Sequence, residues 1–237
     1  MSEFEPRLKV LRAQLVEQGV RVHEIVQRAV DCAFDLDVDR ASDVVGLDAE
    51  IDRVDVEIER ASIQLLMLPE QDEHRVRTAI TIVKINNELE RIADAAVVVA
   101  ETVKDYAESM EAPPATFRVM ANSVIGILRD ANRAFADENV DLAQQVLGFD
   151  DTVASFKEEI GLDAERQVAE GRLSVSYAFR LRTIAAQLER IADHCTNICE
   201  QIIYLGSGKT VRQTAGRWGS PELPGFEGGG PKEGGDR

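Results

Sequence analysis

The chain has 237 residues, enough for one large domain or two small ones that each bury a usable core. Hydrophobic residues make up 44% and charged residues 30%, with 5% aromatics and seven prolines, a balance that suits amphipathic helices rather than a sandwich or barrel. A formal charge of −16 with no clustered Lys/Arg surface argues against a nucleic-acid binder and invites cations or a basic partner.

Residues 4–36 read as one long helix, because Leu8, Leu11, Leu15, Val20, Val22, Ile25, Val26, Val30 and Phe34 recur at helical spacing. A second helix is expected from about Asp39 to Leu68, where Pro69 stops it, and Glu70-Gln71-Asp72 supplies capping side chains for a third that continues to about Glu108. Pro113-Pro114 breaks the chain and Ala115-Thr116 opens a fourth helix to about Asn139. Helix five is expected over about Val140–Gln167 and helix six over about Leu173–Leu205. Short connections favour antiparallel neighbours, so the fold class is all-α: two three-helix bundles in tandem, over 1–110 and 111–205. From 206 to 237 the composition turns to Gly and Pro, and this tail is expected to be disordered, with Trp218 and Phe226 solvated in it. The tail carries a net charge of +1, so the helices hold −17.

The longest apolar stretches, such as Ala95–Ala100, fall far short of the roughly 20 residues a bilayer requires, and the start Met1-Ser2-Glu3-Phe4-Glu5-Pro6 lacks the basic segment of a secretion signal. A cytoplasmic location follows as the expectation, and Cys32, Cys195 and Cys199 are too few and too oddly spaced for a secreted disulfide framework.

One hexapeptide occurs twice: Leu89-Glu90-Arg91-Ile92-Ala93-Asp94 and Leu188-Glu189-Arg190-Ile191-Ala192-Asp193, with Glu101 aligned on Glu200. At 100° per residue, the spacing i, i+4, i+11 puts Glu189, Asp193 and Glu200 within about 40° of one another. The apolar residues Ile184, Leu188, Ile191, Cys195, Ile198 and Ile202 occupy a separate arc more than about 90° away. A solvated acidic face is the ordinary alternative. Like charges one turn apart destabilise a helix by a few tenths of a kcal/mol, however, so their stacking in both copies calls for a cation or basic group.

Helix two carries Asp48, Asp52, Asp55 and Glu59 on one face, away from Leu47, Val54, Ile58 and Leu65. If it packs beside helix three, Asp48 and Asp52 can face Glu90 and Asp94, a set of hard oxygen ligands suited to Mg²⁺, Ca²⁺, Mn²⁺ or iron. In the second half, registering Leu47-Asp48 on Phe149-Asp150 puts Ala154, Lys157 and Gly161 where the first has Asp52, Asp55 and Glu59. The first bundle is therefore expected to hold the better divalent or iron-type metal site, and Asp150, Glu189 and Asp193 a poorer one that needs Asn197 or Glu200.

These residues resemble the PhoU phosphate-signalling regulators, whose two three-helix repeats each carry an E/D-x-x-x-D motif, typically within Leu-Glu-Arg-Ile-Gly-Asp followed by Asn-Ile-Ala-Glu. The likeness spans about 4–205 and includes Asn197-Ile198-Cys199-Glu200. Ala93 and Ala192 replace the usual glycine, Val98 stands where the second repeat has Asn197, and Glu73-His74-Arg75 replaces the usual Asp-Leu-Arg. The resemblance implies a regulator holding metal clusters, which couples the ATPase of a phosphate ABC importer to a membrane sensor histidine kinase. It implies repression of the phosphate-starvation response when phosphate is plentiful. A homodimer is expected on the general prevalence of symmetric assemblies.

Other signals carry less. Gly208-Lys209-Thr210 resembles the end of a P-loop, but Ile203 stands where its first glycine belongs. Cys195 and Cys199, beside His194, lie on the apolar arc and read as core cysteines. No Glu-x-x-His pair of a di-iron oxidase and no Ser/His/Asp or Cys/His relay can be assembled, so no enzyme is expected. The rival to a regulatory adaptor is a structural helical-repeat protein that docks partner helices along its long faces.

Overall fold

The computed structural model describes residues 3–69, 72–106, 113–208, 210–214 and 217–219. Two three-helix bundles follow one another. The first is α1 (Phe4–Asp35), α2 (Val38–Leu66) and α3 (Glu73–Tyr106). The second is α4 (Ala115–Ala136), a middle arm in two pieces, α5 (Val140–Leu147) and α6 (Asp150–Ala169), and α7 (Val175–Ser207).

Local chemistry sets the boundaries. Leu36 takes a left-handed conformation, φ 54°, that ends α1, and the Asp37 carboxylate then accepts from the Arg40 amide at 3.0 Å to start α2. Asp72 caps α3 as its polar run suggests, accepting from the Arg75 amide at 2.9 Å. Asn139 does not extend α4; its side chain accepts from the Leu142 amide at 2.9 Å and opens α5. The expected fifth helix is interrupted at Gly148 and Phe149, whose amides bond back three residues, to Gln145 and Val146. Gly208, φ 70°, caps α7.

A hydrophobic core runs through both bundles, from Leu11, Leu15 and Ile25 through Leu89 and Ile92 to Leu188 and Ile191. Helices α3 and α7, the two that carry the repeated hexapeptide, pack against each other at its centre, and α1 crosses α4. That crossing is close: the Asn132 amide donates to the Gly19 carbonyl at 2.8 Å, and a Cβ on Gly19 would lie 2.7 Å from Asn132 Oδ1. Val20, part of the expected apolar stripe, is instead 61% exposed. In the tail, Arg212–Thr214 (β1) and Arg217–Gly219 (β2) pair antiparallel, which its composition does not suggest. Phe226 lies outside the described residues. Among the described residues, no helix is long and apolar enough to cross a membrane.

Candidate functional site

Helices α2 and α3 run antiparallel, and one contact fixes their register. The Asn86 amide of α3 donates to the Asp55 backbone carbonyl at 3.0 Å and to its carboxylate Oδ1 at 2.6 Å. From that point the acidic faces run side by side. Asp55 and Asp52 come up against Glu90, while Asp48 lies against Asp94 and Glu101. The α2 and α3 sets that the spacing suggests are thus brought together along one groove, with Asp52, Asp94, Glu59 and Glu101 exposed and Asp48, Asp55 and Glu90 half-buried.

The electrostatics of this groove are unbalanced. Burial, then the charges of Asp52, Asp94 and Glu101, raises the Asp48 carboxyl above its ordinary value. Burial, Glu59 and Asp52 do the same to Asp55, and burial, Asp94 and Asp55 raise Glu90 against the weaker pull of Arg91. Elsewhere in the first bundle acids are matched one turn away, as in Glu17 with Arg21 and Glu24 with Arg28 on α1 and Glu57 with Arg53 on α2. Among the described residues, none of Asp48, Asp52, Asp55, Glu90 and Asp94 forms an ion pair.

Asn86 is the residue that sequence reasoning passed over. It is 2% exposed, its two N–H groups are committed to Asp55, and its Oδ1 finds no hydrogen-bond partner. A buried asparagine in an apolar helix register is the signal that points to it. Its amide holds Asp55 in place and adds an unsatisfied oxygen beside the carboxylates. No three Asp, Glu, His or Cys groups among the described residues converge tightly enough to make a finished metal centre. The donor set of uncompensated carboxylates with an orphaned amide oxygen nonetheless fits a hard cation.

The second bundle differs. Ala154, exposed on α6, offers no donor, and Lys157 Nζ reaches Glu189 Oε2 at 2.5 Å. Asn197 is turned to the first bundle, donating to Glu88 Oε2 at 3.0 Å, where His194 Nδ1 also approaches at 2.7 Å. Burial works against an ionised Glu88, but the hydrogen bonds from His194 and Asn197 outweigh it and hold the carboxyl below its ordinary value. Glu200 is 5% exposed and forms an ion pair with Arg212 of β1. Asp193 is exposed on α7; the Asp150 side chain lies outside the described residues. Cys195 and Cys199 are buried, free thiols pushed up by burial, as core cysteines should be.

The family model described as the PhoU domain matches this chain twice, over 15–103 and 117–202. The chain belongs to the PhoU family. Each copy of the domain falls on one three-helix bundle, with one of the two hexapeptides in each. The chain is 30% identical over 212 residues to the phosphate-specific transport system accessory protein PhoU homolog 1 of Thermotoga maritima, covering 89% of this chain and 91% of the relative. It is 25% identical over 216 residues to the accessory protein PhoU of Escherichia coli, covering 91% and 90%. The crystal structure of PhoU from Pseudomonas aeruginosa superposes with a TM-score of 0.84 at 29% identity, covering 87% of this chain and 100% of that one.

Proposed function

We propose that this PhoU-family chain is a cytoplasmic negative regulator of phosphate uptake and of the phosphate-starvation response. In this reading it is a metal-binding adaptor between the ATPase of a phosphate ABC importer and a sensor histidine kinase. The observation that carries the reading is the match over nine tenths of its length to relatives named as accessory proteins of the phosphate-specific transport system. The acidic groove supports the adaptor part: Asp48, Asp52, Asp55, Glu90 and Asp94 of the first bundle would hold one or more hard divalent or iron-type cations. A bound cation would offer open coordination positions to a partner's oxygen ligands, which carboxylates alone repel. The chain's own residues do the rest. Asn86 positions Asp55, and the antiparallel register of α2 on α3 keeps both acid sets on one surface. Self-association as an isologous dimer belongs to the same proposal.

Deleting the gene tests it: alkaline phosphatase expression and phosphate uptake should stay high in phosphate-rich medium, and unchanged levels would defeat the regulatory reading. A docking protein without a phosphate role finds support in Leu162 and Phe179, 61% and 68% exposed on the second bundle. The deletion separates the two, because loss of a docking protein without a phosphate role leaves repression intact. Asp94→Asn then tests the metal, because a metal-dependent adaptor so altered fails to restore repression in the deletion.

A further inference from the structure

We infer that the second bundle carries its own counter-cations, with Lys157 and Arg212 standing where a PhoU-family repeat would otherwise hold metal. The inference rests on the reading of the first bundle's groove as a cation site. Bundle two, on its half of the repeat, pairs Glu189 and Glu200 with cations from within the chain. Lys157 occupies the register position of Asp55, so the residue that adds negative charge to the first groove is replaced by one that removes it from the second. Its ammonium is 2.5 Å from Glu189, the counterpart of Glu90, and both side chains are partly sheltered from water. About two helical turns beyond Asp193, Glu200 is buried and paired with Arg212, whereas its counterpart Glu101 is exposed.

The remaining donors are dispersed. Ala154 has none, and the Asn197 side chain is turned towards α3, its N–H donating to Glu88. A cation entering between α6 and α7 would have to evict the Lys157 ammonium and then share the groove with it. Among the described residues only Asp193 would remain beside Glu189, fewer hard oxygens than Mg²⁺, Mn²⁺ or Ca²⁺ gathers. The two bundles therefore differ in kind: the first responds to metal supply, and the second is held permanently in a charge-compensated state. Arg212 adds a second consequence, because its pairing with Glu200 ties the β1–β2 hairpin to α7.

The test uses the full chain stripped with EDTA and titrated with Mn²⁺, with stoichiometry read by native mass spectrometry and calorimetry. Glu189→Gln should bind as many Mn²⁺ ions as the wild type. The double variant Ala154→Asp with Lys157→Asp, which restores the acids of the first bundle, should bind at least one more. A fall in stoichiometry for Glu189→Gln, or no gain in the double variant when it is folded by circular dichroism, would overturn the inference and leave the first-bundle site standing. If the wild type binds no Mn²⁺, the cation reading of the groove fails and thermal melting in EDTA decides the ion pair alone. Lys157→Ala and Glu189→Gln should each lower Tm by about 2 °C, and their combination by no more than either. Additive losses would show that the two side chains are not partners. Hydrogen exchange of 212–214 and 217–219 should rise alike in Arg212→Ala and Glu200→Gln, and unchanged exchange in both would overturn the assignment of Arg212.

Discussion

Asp48, Asp55 and Glu90 are carboxyls that the fold makes harder to ionise, and stability should record it. A carboxyl whose value is raised on folding binds its proton more readily in the folded state. Its repulsion therefore weakens the fold at neutral pH, and stability is regained as pH falls through the raised values towards the ordinary carboxylate range. Metal-free protein should accordingly melt higher at pH 5 than at pH 7, and Glu90→Gln should melt higher than wild type at pH 7 by a margin that shrinks on acidification. Glu88 works the other way: its lowered value adds stability above the ordinary carboxylate range that is lost as pH falls further. Gly19 gives a second prediction. Alanine there gains about 1 kcal/mol of helix propensity but forces Asn132 off the Gly19 carbonyl, so Gly19→Ala should destabilise by about 1 kcal/mol in urea unfolding. In an Asn132→Ala background the same change should stabilise. The acidic residues of the groove were legible in the sequence because their charge and angular spacing are local properties. Asn86 was not, because its role depends on which α2 residue lies opposite it.

At the scale of helices, the punctuation that survives in the structure is the kind that acts over three or four residues. Pro69 stands just past the end of α2, Pro114 immediately before the first residue of α4, and Asp72 caps α3 from its own polar run. Asn139 was legible as a polar residue near a helix end but not as the cap that opens the next helix. Glu138, at φ 51°, reverses the chain just before it. Asn139→Ala should cost about 1 kcal/mol in denaturant unfolding by leaving the Leu142 amide without its acceptor. The break at Gly148 and Phe149 escaped the periodicity because both residues keep right-handed helical dihedrals, so apolar spacing continues across it with little change of phase. That break distinguishes the middle arm of the second bundle from the unbroken α2, alongside the loss of its acidic stripe.

Across the whole molecule, the duplicated hexapeptide disclosed two bundles but not how they meet. Alignment of the copies compares α3 with α7; it says nothing of their packing on each other. The contact they make is asymmetric: Glu88 of α3 receives His194 and Asn197 of α7, although Gln187 is the aligned partner of Glu88. Because the core is continuous through this contact, the bundles should unfold as one unit, with a single calorimetric transition whose enthalpy equals the van't Hoff value. Leu188→Ala, at the buried centre, should lower stability by about 2–5 kcal/mol without splitting it. The most direct measurement of the central claim is elemental analysis of protein purified without added metal, wild type beside Asp52→Ala and Asp193→Ala. An uncompensated groove on the first bundle predicts bound metal in the wild type, its loss in Asp52→Ala and its retention in Asp193→Ala. Equal loss from both variants, or a wild type free of metal, would contradict it.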